Sequence, residues 1–520
     1  MRAARSRRLG RFGAAVLAAL TLTAVPLAGR PAQAAGGVRT LFVRSFDGTQ
    51  LLVHYFPSPA AIGDRRRPLV IIAHGFGETG PATPTTRLAG AASVGALLAA
   101  GFNVLSWDAR GMGGSSGTSY LDSPAVEVRD VQALITWGAH QPQVQLDGPN
   151  DPRVGMTGAS YGGIIQYLTA AVDPRLDAIT PAYTAYSLDT TTMSQNGKFK
   201  EGWGELLSAI AAETTVQGLT SPLGPQVRSI DPAAILGITA SLATGSLTPQ
   251  FATYLDYRSP SSYLARIHIP TLIQGGTSDT LFPLRNAVSD YQTLKARGVP
   301  VAMDWNCEGH STCLGNPGPL VSHFDTAVVS WFKRYLDRNS RVSLGPGFSW
   351  IADNESSYRS AATYPVPVAG HLVGDGSGML LLTPGGALAS AGLPQFGARP
   401  ATQSLKVDVS PPRVAANVLG FPTLALTYSG LALPQTTWVY AQIVDRVENR
   451  VVGPQVTAIP LTLDGRQHTL TLPLNAIASR AGTRAQYELQ LMPGSLIFGL
   501  QRSTGLVDFM RIHLSMPLIG

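Results

Sequence analysis

A serine flanked by glycines carries the clearest chemical signal in the chain. Ser160 stands in the run Gly158-Ala159-Ser160-Tyr161-Gly162-Gly163, which has the form G-x-S-x-G. An apolar run precedes it at 154–156, and a helix-compatible run follows at 164–171. Strand, sharp turn and helix are the context of a nucleophile elbow, in which a strained turn exposes the serine hydroxyl. The motif therefore predicts a nucleophilic serine, and a strand-to-helix loop without chemistry is the alternative.

A catalytic acid and histidine should follow such a serine, in that order. Chain order and local context leave two of the nine histidines as candidates. His310 stands in a polar loop after an apolar run at 299–303. His323 stands on a predicted helix over 321–336, where a histidine usually packs or faces solvent. His310 is therefore the predicted base.

The acid that orients this histidine is predicted to be Asp279. It follows a short apolar strand at 270–276 that ends in glycines, and it has a loop of its own. From there its carboxylate would orient the imidazole and stabilise the protonated ring. Asp304 and Glu308 are alternatives, but both stand very near His310 in the sequence. A turn-forming role is the alternative for Asp279 itself.

Two backbone N–H groups are expected to bind the oxyanion that forms at the attacked carbonyl. One belongs to Tyr161, directly after the nucleophile. The other should come from the loop after the apolar strand at 68–73. Phe76 is the preferred donor there, with Gly75 and Gly77 as alternatives.

Two neighbouring segments are predicted to support the site. His74 precedes the serine in the chain, and we expect it to hold its own loop by hydrogen bonds rather than to move protons. The glycine-rich segment 108–117 lacks the Gly-Lys-Ser/Thr ending of a phosphate-binding loop. Asp108 and Arg110 are expected to brace that segment as an ion pair.

Together these loops resemble an α/β-hydrolase core, and the chain is most similar to the X-Pro dipeptidyl-peptidase and cocaine-esterase group of serine hydrolases. The form Ser-Tyr-Gly-Gly at 160–163, the run at 173–181 and a β-rich tail support this resemblance, which covers roughly residues 38–520. The segments of the core that carry it are 74–77, 108–117, 158–163, 277–283 and His310.

One position departs from that group. Cocaine-esterase-like members place a tyrosine after the first core strand, and its hydroxyl helps to bind the oxyanion. This chain has His74, Gly75 and Phe76 there. A hole made of backbone N–H groups is therefore expected instead, and X-Pro specificity does not carry over directly.

The first 34 residues are predicted to be a signal peptide. An arginine-rich start, an apolar run over 12–28 and the small residues at 32–34 are the three parts of such a segment. We therefore expect a secreted or cell-envelope protein, with an uncleaved anchor as the alternative. No later stretch is long and apolar enough to span a bilayer, so no stable membrane insertion is expected.

The charge balance gives little reason to expect nucleic acid or an anionic membrane as a partner. The formal net charge is +7, but residues 1–34 hold six of the 39 basic residues and no acid. The remainder carries 33 basic against 32 acidic residues. Nucleic acid is therefore not an expected partner, and a small-molecule ester or peptide is the expected substrate. No metal or organic cofactor is implied.

Two cysteines flank the predicted base. In an exported protein Cys307 and Cys313 are expected to form a disulfide. Closing so short a loop would stabilise the fold by about 2 kcal/mol, and it would hold the loop of His310. Two reduced thiols are the alternative, and a zinc site would need further ligands.

The chain divides by pattern into a hydrolase domain and a β-rich tail. Residues 38–57 predict a β-hairpin that turns at Asp47-Gly48. Alternating strands and helices then predict an α/β-hydrolase core with a mostly parallel sheet over 38–338. A helical cap is inserted at about 184–262.

A polar linker is predicted at 339–366, followed by a β-sandwich, jelly-roll-like domain over 367–520. This domain is expected to wall one side of the pocket, and carbohydrate binding is the alternative. Candidate pocket residues lie at the start of the cap and within it: Tyr183, Tyr186, Trp203 and Tyr254.

These features predict a secreted serine hydrolase that cleaves an ester or amide bond through an acyl-enzyme. X-Pro dipeptidyl aminopeptidase activity is one alternative. Acyl transfer to a cell-wall lipid and a non-catalytic binding module are two others.

Overall fold

The computed structural model describes residues 37–219, 228–313, 320–385 and 396–520. The predicted signal peptide lies outside these ranges. Residues 38–520 form one compact unit. The described part of this unit contains two ten-stranded sheets. No helix in the described ranges is long and apolar enough to cross a membrane.

Strands and helices alternate along most of the described part of residues 37–361. In chain order they are β1 (Arg39–Arg44), β2 (Gln50–Phe56), β3 (Leu69–Ala73), α1 (Val94–Ala99), β4 (Asn103–Trp107), β5 (Gly117–Ser119), α2 (Glu127–Ala139), β6 (Leu146–Gly148), β7 (Asp151–Pro152), β8 (Val154–Ala159), α3 (Tyr161–Ala170), β9 (Leu176–Ala182), β10 (Ser194–Gln195), β11 (Lys198–Phe199), α4 (Glu201–Leu219), β12 (Arg228–Ile230), α5 (Pro232–Thr244), α6 (Pro249–Asp256), β13 (Thr271–Gly276), α7 (Arg285–Ala296), β14 (Val301–Asn306), α8 (Leu320–Tyr335), β15 (Phe348–Trp350) and β16 (Arg359–Ala361).

The first sheet is mostly parallel, as the sequence predicts. Its strand order is β1-β2-β4-β3-β8-β9-β13-β14-β15-β16. Strands β3, β4, β8 and β13 are buried along their whole length, which is typical of parallel strands covered on both faces. At one edge β1 and β2 form the predicted antiparallel hairpin around Asp47 and Gly48.

The segment 339–366, predicted as a linker, belongs in part to this sheet. Strand β15 pairs in parallel with β14, and β16 closes that edge as an antiparallel strand. Each strand has only three residues and lies among glycines, prolines and polar residues, so the sequence lacks the periodicity that marks a strand. The hydrolase sheet therefore extends past residue 338.

Helices α4, α5 and α6 lie within the predicted cap, whose residues 220–227 are outside the described ranges. The side chain of Asp231 caps the start of α5, and Gly245 ends that helix with φ at 73°. Thr248 caps α6 by accepting the N–H of Phe251. Such side chains satisfy N–H groups that have no partner inside the helix, so they locate the helix boundaries.

The tail forms a separate, antiparallel, curled β domain. Long strands alternate between buried and exposed residues, and β20 pairs with β21, β22, β23, β25 and β26. Its strands are β17 (Val368–Leu382), β18 (Leu405–Val409), β19 (Ala416–Gly420), β20 (Thr423–Asp445), β21 (Arg450–Val451), β22 (Thr457–Asp464), β23 (His468–Pro473), β24 (Ile477–Ala481), β25 (Tyr487–Met492) and β26 (Thr504–Ile519).

The β domain and the hydrolase domain share one buried apolar cluster. Tyr440 and Phe498 of the β domain stack with their ring centroids 5.4 Å apart. Both belong to the same cluster as Phe199 and Trp203, which stand where the cap begins. We therefore expect the two domains to unfold together.

Replacing Phe498, which is fully buried, by alanine tests this coupling. Loss of its packing should cost about 3–5 kcal/mol and shift one calorimetric transition to lower temperature. Leu433→Ala, on the exposed surface of the same domain, is the control and should leave the transition in place. Two transitions, of which only one moves, would contradict a shared core.

Candidate active site

Ser160 lies at a sharp turn between β8 and α3. Its backbone has φ at 59° and ψ at −123°, a conformation that costs free energy in any residue with a Cβ. The turn is held from both sides. The N–H of Ser160 donates to the carbonyl of Ala182 at 3.0 Å, and its own carbonyl accepts the hydroxyl of Thr184 at 2.9 Å.

The glycines around Ser160 are required by close approach of the neighbouring backbone. A Cβ at Gly158 would lie 2.2 Å from the carbonyl oxygen of Ala73, and one at Gly162 would lie 2.4 Å from the same atom. A Cβ at Gly163 would lie 2.6 Å from that of Thr184. The motif therefore reflects how tightly the turn packs on the end of β3 and on the segment after β9.

Asp279 and His310 form a hydrogen-bonded pair. Oδ2 of the carboxylate lies 2.8 Å from Nδ1 of the imidazole. The other oxygen, Oδ1, accepts the backbone N–H groups of Leu281 at 3.0 Å and Phe282 at 2.7 Å. A carboxylate held in this way favours the tautomer with the proton on Nδ1, so Nε2 is the nitrogen that can accept one. The catalytic roles of both residues remain predictions.

The loop of His310 is held by a covalent bond and by close backbone contact. A disulfide joins Cys307 and Cys313, with their Cα atoms 5.4 Å apart. Between them, Gly309 has φ at 140°, and a Cβ there would lie 2.5 Å from that of Asp279. The imidazole packs edge-on against Phe282, with ring centroids 4.8 Å apart.

The alternative base, His323, and the alternative acids, Asp304 and Glu308, make hydrogen bonds to other residues. Nε2 of His323 lies 3.1 Å from Asp304, and its ring stacks on Tyr358 with centroids 3.4 Å apart. An oxygen of the Glu308 carboxylate lies 3.2 Å from the hydroxyl oxygen of Tyr183. The acid that pairs with His310 is thus Asp279, on its own loop.

The residues predicted to bind the oxyanion lie beside Ser160. Tyr161 is the first residue of α3, where backbone N–H groups point out of the helix and favour negative charge. Its ring and that of Phe76 are 6.0 Å apart, and both residues border the same cavity as Ser160. Their role as backbone donors remains a prediction.

The loop of Phe76 is supported by His74. Nε2 of this ring accepts the N–H of Ala109 at 2.8 Å, which leaves the proton on Nδ1 to be donated to the carbonyl of Gly75 at 2.7 Å. Both ring nitrogens therefore make hydrogen bonds to backbone, as expected from the sequence.

Asp108 and Arg110 were expected to form an ion pair, but each binds other partners. Asp108 accepts the N–H of Gly114 at 2.5 Å and so holds the glycine-rich segment through its backbone. Arg110 instead bonds Asp130 at 2.6 Å and Asp47 at 2.9 Å. The prediction missed that two acids distant in sequence meet this guanidinium.

An apolar cavity of about 230 Å³ opens at Ser160 under the cap. We call it the cap cavity. The elbow, the loop of Phe76 and residues Leu281 and Phe282 border its inner end. Helices of the cap form most of the remaining wall, with Leu207, Ala211, Ala212, Ile235, Ile238 and Phe251.

The four aromatic residues predicted to line the pocket do not border this cavity. Tyr183 is buried, and its hydroxyl donates to Asn306 at 2.7 Å. Tyr186 is half-buried in the main apolar cluster, and its N–H donates to Asn286 at 2.8 Å. Tyr183 thus packs within the core with its hydroxyl bonded there, and Tyr186 packs against the main apolar cluster.

Trp203 and Tyr254 are similarly engaged. The indole N–H of Trp203 donates to the hydroxyl of Thr280 at 3.1 Å, and its ring lies 5.9 Å from that of His310. The hydroxyl of Tyr254 donates to Asp231 at 2.9 Å. Trp203 therefore contacts the loops of Thr280 and His310, although it does not border the cap cavity.

The sequence did not single out Lys200, which holds the loop of Asp279. Its ammonium nitrogen is fully buried and donates to the carbonyls of Thr280 and Leu281, both at 2.9 Å. Burial lowers the pKa of this lysine to about 7, although the negative charge of Asp279 opposes that shift.

Gln455 of the β domain holds the same loop from the other side. Its amide donates to the carbonyl of Thr277 at 3.0 Å and to that of Asp279 at 2.8 Å. Asp353 adds a second link, accepting the hydroxyl of Thr277 at 2.8 Å and the N–H of Gly453 at 2.6 Å. The β domain was expected to wall the pocket, but its residues do not border the cap cavity and bind the acid loop instead.

The family described as X-Pro dipeptidyl-peptidase (S15 family) matches residues 47–312, a segment that contains Ser160, Asp279 and His310. The chain belongs to the S15 family. Membership of S15 indicates a hydrolase of ester or peptide bonds. Within the described ranges, no cluster of three or more histidine, cysteine, aspartate or glutamate residues could hold a metal ion.

Solved structures with the same fold align over more than nine-tenths of this chain. An α-amino acid ester hydrolase is 12% identical with a TM-score of 0.68, and the alignment covers 94% of this chain and 98% of that one. A CocE/NonD family hydrolase from Staphylococcus aureus is 14% identical with a TM-score of 0.62, covering 92% and 93%. An aminopeptidase from a marine sediment archaeon, Thaumarchaeota archaeon, is 13% identical with a TM-score of 0.66, covering 93% and 96%. At these identities the likeness establishes the fold.

A curated relative is similar over a shorter stretch. An uncharacterised 31.7 kDa protein of Escherichia coli is 30% identical over 118 residues. The match covers 22% of this chain and 37% of that protein.

Removing the amide of Gln455 should lower turnover more than it weakens substrate binding. Gln455→Ala leaves two backbone carbonyls of the acid loop without their partner, and we expect kcat for an activated ester to fall about tenfold with KM little changed. Gln442→Ala removes an equally buried amide within the β domain, and its kcat should match that of the wild type. Equal losses in both variants would mean that Gln455 acts only through stability.

The buried ammonium of Lys200 predicts a specific pH dependence of stability. Between pH 7 and about 10 the unfolded lysine keeps a proton that the folded one has lost, so the free energy of unfolding should rise with pH. Relative to Lys200→Met, the wild type should gain up to about 1.4 kcal/mol per pH unit from pH 7 to 9 in urea titrations. Lys406→Met, at a side chain that is 55% exposed, is the control. Parallel pH profiles for the wild type and Lys200→Met would refute this assignment.

Proposed function

We propose that this protein is a serine hydrolase that cleaves an ester or amide bond through Ser160, His310 and Asp279. The observation that carries the proposal is the 2.8 Å hydrogen bond between Asp279 and His310. The imidazole of this pair packs on Phe282, which borders the same cavity as Ser160. An oriented histidine and a serine at a strained elbow are two of the groups that acyl transfer requires.

The chemistry follows from these positions. Nε2 of His310 takes the hydroxyl proton as Oγ of Ser160 attacks the carbonyl carbon. The carbonyl electron pair moves to oxygen, where the N–H groups of Tyr161 and Phe76 stabilise the negative charge. Collapse of this intermediate breaks the bond to the alcohol or amine, which leaves with the proton of His310.

Water completes the cycle. His310 takes a proton from the water that attacks the acyl-enzyme, and the tetrahedral intermediate then expels Ser160, which recovers that proton. The product is a carboxylic acid. Asp279 keeps the imidazole in the required tautomer and stabilises its protonated form throughout.

We infer that the protein acts outside the cytoplasm. The arginine-rich start, the apolar run and the small residues before position 35 support export. The Cys307–Cys313 disulfide is a second, independent support, because disulfides persist mainly in oxidising compartments.

X-Pro dipeptidyl peptidase activity is the second candidate, and the family match favours it. Such an enzyme must bind the α-ammonium group of its substrate. The two candidates therefore differ in whether the site near the cap cavity must bind a substrate ammonium group.

Labelling with a fluorophosphonate probe tests the proposed nucleophile. The probe should modify Ser160, as located by peptide mapping, and Ser160→Ala should prevent the adduct. We expect kcat to fall about 10⁵–10⁶-fold in Ser160→Ala and His310→Ala, and about 10⁴-fold in Asp279→Asn.

The chain supplies matched controls for that test. His323→Ala and Asp304→Asn alter the other histidine–aspartate pair, and both should retain turnover. Near-normal activity in any of the three site variants would remove that residue from the mechanism. An unlabelled but folded protein would reject the proposal as a whole.

A further inference from the structure

The cap cavity has a composition that restricts what can bind in it. Among the described residues that border it, none carries a charged side chain. Most are aliphatic or aromatic, and they come mainly from three helices of the cap and from the elbow. Such a surface attracts apolar groups by releasing water, and it offers little to a polar substrate.

Two of the three hydroxyl-bearing residues on the cap side of this wall bond within their own helix. Ser208 donates to the carbonyl of Gly204 at 2.8 Å, and Thr215 donates to that of Ala211 at 3.0 Å. The third, Thr192, has a buried hydroxyl without a hydrogen-bond partner among the described residues. A bound chain therefore meets methylene and methyl groups along most of its length.

Two acids stand close in the chain to Leu121, which borders the cavity. Both carboxyl oxygens of Asp122 are buried and have no hydrogen-bond partner in the described part of the chain, and burial raises the pKa of this carboxyl well above its ordinary range, which disfavours its charged form. Glu127 accepts the backbone N–H groups of Tyr120 at 2.6 Å and Ser123 at 2.8 Å. An ammonium group in the cavity would thus be desolvated without a carboxylate partner, which is strongly unfavourable.

The position of the cavity identifies the half of the substrate that it holds. The leaving group must reach Nε2 of His310 to receive its proton, and His310 does not border the cavity. Ser160, Tyr161 and Phe76 do border it. These residues surround the carbonyl carbon and its oxygen, from which the acyl chain extends.

We propose that the cap cavity binds the acyl chain of the substrate, and that this chain is uncharged, apolar and about six to ten carbons long. An engineered apolar cavity of about 150 Å³ binds benzene, which has six carbons, so a cavity of 230 Å³ corresponds to roughly nine carbons. The proposal rests on the proposed nucleophile, and it selects medium-chain acyl esters over dipeptides with a free ammonium terminus.

A series of p-nitrophenyl esters from acetate to hexadecanoate measures this selection. The value of kcat/KM should rise about fourfold for each methylene from butanoate to octanoate, and it should level off or fall beyond about ten carbons. A profile that is flat, or that falls from acetate onward, would overturn the proposal.

Variants within α4 should move the optimum. Ala211→Phe adds a ring where the residue borders the cavity, so the preferred chain should become shorter by two to four carbons, which is roughly the volume of the added ring. Ala209→Phe makes the same change on the exposed side of the helix and should keep the wild-type profile. Leu207→Ala should lengthen the preferred chain, with Leu206→Ala as its control. Circular dichroism and thermal melting establish that each variant is folded.

A charged analogue separates the two candidate substrate classes. The p-nitrophenyl esters of nonanoate and of 8-ammonio-octanoate have chains of equal length, one ending in methyl and the other in ammonium. We expect kcat/KM for the charged ester to be at least about 100-fold lower, because its ammonium finds no partner. Equal turnover of the two esters would overturn the proposal. So would faster turnover of alanyl-proline p-nitroanilide than of nonanoyl p-nitroanilide.

The two levels of the proposal fail in different ways. Loss of acetate hydrolysis together with absence of the fluorophosphonate adduct would remove the nucleophile, and the acyl-chain proposal with it. A labelled Ser160 with a flat chain-length profile would keep the nucleophile and reject only the role of the cap cavity.

Discussion

The candidate site depends on one carboxylate that has no access to solvent. Asp279 is fully buried, and ionisation there would cost several kcal/mol without partners. Two backbone N–H groups and the imidazole of His310 provide three hydrogen bonds to it, each worth about 1.5–3 kcal/mol when the acceptor is charged. These contributions offset the desolvation only while the loop keeps its shape, so the packing around the loop is a condition for the site.

Segments distant in sequence maintain that shape. Lys200 binds two carbonyls of the loop from the start of the cap, and Gln455 binds two from the β domain. The disulfide and Gly309 hold the histidine loop against the same aspartate. The β domain thus contributes to the site without bordering the cap cavity. Its packing into the apolar cluster of the hydrolase domain fixes it in the position that this contribution requires.

The sequence predicted what depends on local pattern. The elbow, the first hairpin, the parallel sheet and the helices of the cap all have signals within a few residues, and the structure has each of them. Lys200 and Gln455 could not be found in this way, because their contacts span 80 and 176 residues. Strands β15 and β16 are too short to show a period. The four aromatic residues predicted for the pocket do not border the cap cavity. The polar side-chain atoms of Tyr183, Trp203 and Tyr254 bond elsewhere. The cavity is bordered mainly by leucine, isoleucine and alanine, which look like ordinary core residues in a sequence.

The cap cavity also explains how one fold serves different substrates. In the proposed mechanism the core sheet and its loops position the reacting groups, whereas residues of the cap surround the acyl chain, so likeness of fold does not transfer specificity. Each methylene placed in the cavity contributes about 0.8 kcal/mol. An ammonium group left unpaired there costs several kcal/mol, which exceeds what the few methylenes of a proline ring return. With Asp122 and Glu127 buried, this balance favours a neutral chain over a charged terminus.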